Sequence, residues 1–434
     1  MSITGAGRTG DGGLPAGGRA APGRYAQSAR WLNRNVAGMG VASLFSDLGH
    51  EMATAVLPLF LRTLGASAAA LGVIEGVSDG AAMLARLAGG RLADRPGLRH
   101  VAASVGYAVT GLATGAFAFA SSWTWLLGAR AVGWASRGVR GPCRDNMLVE
   151  SVPRAQLGKA FGFHRAMDTV GALAGPLGAA LLLGRLGFRG VFALSLFPGL
   201  LSGAAFFFLV WEPDGVAIAV RRAAPRWGAA LTPEFRRFLA AASLFGIGDF
   251  AHSMLVMRAV ELLRPGAKSA TIAILLYALH NGAHALAAYP IGALGDRWPR
   301  RRLLALWYFV GAVTAAGFAW GPPALAALAL LFVLGGTVMA AQETLEAAVA
   351  ADLLPAEVRG TGLGLLGAAN GLGDFVSSVG LGLLWARFSA PLAFGISAVL
   401  GAGAGFVLLR APLAGGLERV GAEPADARGG RVDR

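Results

Sequence analysis

Twelve stretches of the chain are dominated by apolar side chains, at 35–61, 68–91, 101–120, 123–142, 159–184, 188–211, 238–263, 269–294, 303–320, 323–346, 360–386 and 391–410. A helix of about 20 apolar residues crosses the ~30 Å hydrocarbon core of a bilayer. Inside that core every backbone N–H and C=O must find its partner within the protein, which a helix does on its own. The series therefore predicts an all-α integral membrane protein of twelve transmembrane helices. A membrane barrel would show alternating strands of about ten residues instead. Of the 434 residues, 55% are hydrophobic and only 14% charged. A soluble domain carries about 25% charged residues, so a soluble enzyme and a disordered chain are both excluded.

The formal charge of +14 follows from 38 basic residues. With both termini placed inside, 28 of the 38 fall on inner segments and six on outer loops. Cytosolic loops of membrane proteins carry this excess. The charge is accounted for by topology and attraction to lipid headgroups, so no nucleic-acid partner is required. The expected organisation is a flexible cytosolic tail over 1–34, a six-helix bundle over 35–211, a cytosolic linker over 212–237, a second six-helix bundle over 238–411 and a cytosolic tail over 412–434. Only Lys159 and Lys268 among the basic residues are lysines, and 65 residues are glycine. That composition points to a high-GC bacterial gene, and so to the bacterial cytoplasmic (inner) membrane. A single cysteine, Cys143, excludes an internal disulfide.

The two halves repeat. Ser43-Leu44-Phe45 with Asp47-x-x-His50 returns as Ser243-Leu244-Phe245 with Asp249-x-x-His252. Gly90-Arg91-Leu92-Ala93-Asp94-Arg95 returns as Gly292-Ala293-Leu294-Gly295-Asp296-Arg297. Glu150-Ser151-Val152-Pro153 matches Asp352-Leu353-Leu354-Pro355. Such a repeat predicts two pseudo-symmetric bundles with a midplane site between them, the plan used by secondary transporters.

The loop after the second span, Gly90-Arg91-Leu92-Ala93-Asp94-Arg95-Pro96-Gly97, resembles the cytoplasmic loop signature of the major facilitator superfamily. It departs at Leu98, where a basic residue is usual, and the second copy keeps Gly292, Leu294, Asp296 and Arg297. The resemblance covers about residues 35–411. It implies the major facilitator fold and a monomeric carrier that alternates access. It also implies an inner gate formed by Gly90, Asp94, Arg95, Gly292, Asp296 and Arg297. Such partly solvated pairs are worth about 1 kcal/mol or less each, which suits a gate that must open. Gly171, Gly175 and Pro176 in the fifth span resemble the glycine-rich motif of superfamily antiporters. The same residues also read as a seam that lets helices approach closely. Arg130 stands where the family often keeps a buried arginine linked to proton coupling.

Charged groups within spans are costly, by about 2.5–3.5 kcal/mol on insertion scales, so they face a cavity or one another. The candidates are Asp47 and Glu51, with His50 between them, on helix 1; Glu75 and Asp79, with Arg86 beyond, on helix 2; His164 and Asp168, beside Arg165, on helix 5; Asp249 and His252 on helix 7; His280 and His284 on helix 8; Glu343 and Glu346 on helix 10; and Asp374 on helix 11. Asp47, His50, Asp249 and His252 are expected to face one another across the pseudo-twofold axis.

Two substrates remain open. Imidazoles and carboxylates suit a divalent transition metal, with thioether from Met257 favouring copper(I); the metal set would be Asp47, His50, Asp249, His252 and Met257. Metal-transporting branches of the superfamily are similar in carrying acid–histidine or Met–His pairs on helices 1, 7 and 8. Alternatively, the histidines relay protons while an organic solute or drug is exported. No phosphate-binding loop of the Walker type is present, which leaves a proton gradient as the driving force and requires no cofactor. His280-x-x-x-His284 lacks the glutamate of a zinc protease, so no enzyme is expected. A non-transporting receptor with the same fold is the remaining rival.

Overall fold

A computed structural model describes residues 31–93, 95, 97–153, 156–212, 228, 231–263, 267–355 and 358–410. Most of the N-terminal tail, all of the C-terminal tail, most of the linker and Asp94 lie outside the described residues. Twelve α-helices are present among those described: α1 Arg34–Thr63, α2 Ala68–Ala93, α3 Leu98–Gly115, α4 Trp123–Ser151, α5 Leu157–Leu209, α6 Pro233–Gly248, α7 His252–Leu262, α8 Ala267–Arg297, α9 Arg300–Trp320, α10 Leu325–Leu353, α11 Arg359–Arg387 and α12 Ala390–Arg410. Helix starts are capped by side chains: Asn33 accepts from the Val36 N–H, Ser122 from Trp125, and Thr232 from Phe235 ahead of Pro233, each supplying a partner for an orphan first-turn donor.

Helix α5 contains the fifth and sixth spans as two arms joined at Gly187, whose φ of 63° suits glycine alone. Gly171 and Gly175 of the first arm lie on Leu44, Leu48 and Met52, advancing along α1 in the same direction. In the second arm Phe188 and Phe192 meet Phe60, Ser195 meets Gly49, and Leu209 meets Gly38, so it runs the other way. The chain therefore reverses at Gly187. The seventh span is divided instead. Asp249 caps α6 in extended geometry, and α7 starts at His252. Ser397 donates from its hydroxyl to the Gly248 carbonyl, giving the interrupted end a partner.

Eight helical stretches are long and apolar enough to cross a membrane. Helices α1, α4 and α11, of 30, 29 and 29 residues, are not among them, although about 43 Å of helix exceeds the bilayer core. All three carry polar groups into the protein interior, as α2 and α10 also do. Helix α4 also runs past the expected end of its span at 142, so Arg144 joins Arg137 and Arg140 on the helix and does not lie in a loop. Arg140 is buried beneath the Tyr107 ring, 3.9 Å from its centroid, and donates to Ser46 at 2.9 Å.

Three apolar cores show how the bundles meet. Near the face where α1 begins and α12 ends, here the terminal face, each bundle has its own core. One contains Val36, Tyr107, Met147 and Phe206, and the other Phe238, Leu304, Tyr308 and Leu408. Near the opposite face one core spans both bundles, joining Phe60, Leu71 and Phe192 to Met254, Phe318 and Phe394. Helices α2 and α11 touch along that half. A Cβ on Gly72 would lie 2.1 Å from the Ser378 carbonyl oxygen, and one on Gly76 2.7 Å from Val379. Toward the terminal face, Cβ atoms at Gly364 and Gly367 of α11 would meet nothing within 4 Å. The bundles are sealed at the opposite face and parted at the terminal one.

Candidate functional site

Between the parted bundles lies a cavity of about 790 Å³. The first bundle contributes His50, Glu51 and Thr54 from α1, Glu75, Asp79 and Arg86 from α2, Arg130 and Trp134 from α4, and Arg165 from α5. The second contributes Asp249 to Ser253 at the α6–α7 break, Tyr277, Glu343, Glu346, Asn370 and Asp374. Charge is unevenly shared. The first wall mixes three carboxylates with three arginines, whereas the second holds four carboxylates and, among its described lining residues, no lysine or arginine.

Glu75 is 4% exposed and organises the ceiling. Arg130 donates to its Oε2 through Nε and a terminal nitrogen, at 3.0 and 2.6 Å. Its other oxygen, Oε1, accepts from Ser253 of the second bundle at 2.6 Å. Arg130 also covers the Trp134 ring at 4.1 Å, and that indole donates to Asp79 at 2.9 Å. Glu51 makes the second crossing, accepting from the Tyr277 hydroxyl at 2.7 Å. A third joins Asn281 to the Ala172 carbonyl at 2.9 Å. Two carboxylates that line the cavity thus also hold the bundles together at its closed end.

Of the residues singled out from sequence, His50, Glu51, Glu75, Asp79, Arg86, Arg130, Arg165, Asp249, His252, Glu343, Glu346 and Asp374 line this cavity. The expected facing set of Asp47, His50, Asp249 and His252 is not assembled. Asp47 is not among the lining residues; it takes a contact of 3.4 Å from Arg137, while neighbouring Asp168 binds Ser43 and lies 3.3 Å from His164. Asp47 and Asp168 belong to a polar seam inside the first bundle, where the arginines of α4 draw them. Asp249 and His252 do not share one helix face, because the helix ends between them. His280 is 1% exposed and faces a side pocket, and His284 pairs with Glu343 at 3.2 Å. Met257 is packed in the apolar core. Among the described residues no group of three or more His, Cys, Asp or Glu side chains is arranged to hold a metal ion.

Gly171 and Gly175 are occupied by helix packing: a Cβ would lie 2.4 Å from the Leu44 oxygen or 2.7 Å from that of Leu48. Pro176 is buried beside them. At the terminal face Arg300 links Asp296 and Asp352, both at 2.9 Å, within the second bundle. Arg95 and Arg297 are exposed, Gly90 and Gly292 are half-buried, and Asp94 lies outside the described residues. Tyr277, Ser253 and Asn370 were not apparent from sequence. They are uncharged residues in apolar spans, and only their partners mark them.

The Major Facilitator Superfamily family model matches residues 39–279 and 264–428. The chain belongs to that superfamily: it is a multi-pass membrane transporter of a small solute. An uncharacterised MFS-type transporter of Methanocaldococcus jannaschii is 27% identical over 385 residues, covering 88% of this chain and 95% of that protein. The uncharacterised MFS-type transporter YuxJ of Bacillus subtilis is 24% identical over 380 residues, covering 83% and 94%. Among solved structures, the nucleoside transporter NupG aligns with a TM-score of 0.74 at 12% identity over 87% of this chain and 99% of that one. A bacterial homologue of the human lysosomal transporter Spinster, inward-facing and occupied, aligns with a TM-score of 0.72 at 15% identity over 87% and 97%. At these identities the likeness is one of fold.

Proposed function

We propose that this protein is a proton-coupled exporter of a small organic solute carrying positive charge, working by alternating access in the bacterial cytoplasmic membrane. On this reading the terminal face is cytosolic, in keeping with the arginine bias, and the cavity is open inward. The observation that carries the reading is the double use of Glu51 and Glu75. Each lines the cavity and each accepts a hydrogen bond from the other bundle. Protonation there weakens a charge-assisted crossing bond, and so changes the relative stability of the two access states, which is what coupling requires. The carboxylate wall of the second bundle favours a cationic solute, and the scattered histidines and acids favour an organic one over a bare metal ion. Export is supported by the resemblance of Gly171, Gly175 and Pro176 to the antiporter motif.

Proteoliposomes loaded with a pH-sensitive dye test this reading. Organic cations and transition-metal ions are offered in turn under an imposed pH gradient. At least one organic cation is expected to move protons against its own flux, and Glu51→Gln with Glu75→Gln is expected to abolish that exchange. Proton movement driven by a metal ion alone, or solute flux indifferent to the pH gradient, would overturn it.

A further inference from the structure

A second, smaller pocket of about 60 Å³ opens off the cavity at the α6–α7 break, where Asp249, Phe250, His252 and Met339 line both spaces. Its depth is the interior of the second bundle. His280 forms part of its wall and is 1% exposed, with its Nε2 lacking any hydrogen-bond partner. Gly335 lies against that nitrogen: a Cβ there would sit 3.3 Å from Cδ2 and 3.5 Å from Nε2.

The protonation pattern of His280 follows from its neighbour. Asn281 spends its amide N–H on the Ala172 carbonyl at 2.9 Å, which turns its oxygen toward His280 Nδ1, at 3.4 Å. An amide oxygen only accepts, so in the neutral ring Nδ1 carries the hydrogen and Nε2 presents a bare lone pair. A buried acceptor left unmatched is costly, so the site favours a ligand that brings a donor to it. Asp249 at the pocket mouth is a second acceptor, and Phe250 and Phe394, stacked at 3.9 Å, supply ring faces. Acceptors, a carboxylate and aromatic faces in one small space call for a cation with N–H donors.

We propose that the side pocket is a subsite for a primary ammonium group of the transported solute, held between Asp249 and the His280 Nε2 lone pair. The rest of the solute extends into the main cavity along the carboxylate wall. This inference rests on the transport reading above and names the group that the site selects. The pocket is large enough for a few non-hydrogen atoms and too small for a tetraalkylammonium, which also lacks N–H donors.

Methylammonium is the probe, titrated into purified protein labelled with 15N-histidine, with tetramethylammonium at equal ionic strength as the matched control. The His280 Nε2 resonance, identified by its loss in His280→Gln, is expected to shift saturably with methylammonium and not with tetramethylammonium. Gly335→Ala, which puts a methyl beside Nε2 and alters no charge, is expected to weaken this binding at least tenfold. Protection from heat unfolding by methylammonium is expected to survive in His280→Gln, which keeps an acceptor, and to vanish in His280→Leu. No shift with methylammonium would mean that the pocket holds water only and would overturn the proposal, as would an equal response to tetramethylammonium or full affinity in Gly335→Ala. These binding measurements need no proton gradient. Solute-driven proton flux without methylammonium binding would remove the subsite alone, whereas binding without flux would remove the transport reading.

Discussion

The Arg99 guanidinium forks onto both carboxylate oxygens of Glu150, at 2.9 and 2.6 Å. In the second bundle the corresponding fork is made by Arg300, one residue before the position that the repeat aligns with Arg99, and it reaches both oxygens of Asp352 at 2.9 and 3.1 Å. Each arginine stands at the start of the third membrane span of its bundle and each acid at the end of the fourth, so the matched Glu150 and Asp352 segments have a physical reason to be alike. The two pairs differ in setting. The Arg99 and Glu150 side chains are 4% and 13% exposed, whereas those of Arg300 and Asp352 are 32% and 38% exposed. Glu212 adds a further carboxylate on Arg99.

That difference in burial should appear in stability. Glu150→Gln leaves a buried guanidinium with one carboxylate in place of two, and breaking a buried pair costs about 3 kcal/mol or more. Asp352→Asn breaks a partly solvated pair worth about 1 kcal/mol or less. Thermal unfolding in detergent is expected to show a clear loss for the first variant and a small one for the second. Equal losses would show that burial is not what separates them.

Tyr277→Phe removes a crossing hydrogen bond to Glu51 and almost no volume. Bonds to charged groups are worth about 1.5–3 kcal/mol, so the balance of access states should move about tenfold or more toward opening at the sealed face. Leu71 is fully buried in the shared core on that side. With Leu71→Cys in a Cys143→Ser background, labelling by a membrane-impermeant thiol reagent is expected to accelerate when Tyr277→Phe is added. An unchanged rate would mean that this bond does not hold the face closed.

Gly175→Ala drives a methyl into the α1 backbone, 2.7 Å from both the Leu48 oxygen and the Met52 nitrogen. Overpacking of this kind costs about 1–3 kcal/mol. Gly184 lies on the same arm with nothing within 4 Å of its Cβ position. Gly184→Ala is expected to be neutral or to stabilise by about 0.5–1 kcal/mol, through helix propensity. Unfolding midpoints of the two variants, measured side by side, should place Gly175→Ala below the parent and Gly184→Ala at or above it; a harmless Gly175→Ala would refute the packing role.

Asp47→Asn is expected to lower stability while changing solute affinity less than about twofold, since Asp47 faces Arg137 and is not among the cavity-lining residues. Solute titration against the purified variant separates the two effects. A collapse of affinity with the fold intact would return Asp47 to the binding site.

The helical spans were legible because crossing a bilayer is a requirement that each segment meets by itself, through its own length and its own apolar side chains. Span five, expected at 159–184, and span eight, expected at 269–294, lie within α5 and α8. The repeat was legible too, since residues at matched positions do matched work, as Glu150 and Asp352 do in each accepting an arginine fork. What could be read of the site was its charged membership, because an ionised group within a span announces itself by its cost.

Which way each group turns was settled by tertiary structure. Asp47 and Glu51 are one turn apart on α1, yet Asp47 meets the arginines of α4 while Glu51 meets Tyr277, 226 residues away. Ser253 reaches Glu75 across 178 residues. The repeated Asp-x-x-His motif runs on one continuous helix in α1 but is broken at Asp249, where Ser397 from α12 takes up the Gly248 carbonyl. Sequence determined where the apolar spans lie and how they fall into two halves, because hydropathy acts within a segment, while the joining of two spans at Gly187 and the break at Asp249 came with the tertiary structure. The cavity, its ceiling and its side pocket were decided only by packing, because a hydrogen bond depends on the rotation and depth of two helices at once, and neither is written in either helix alone.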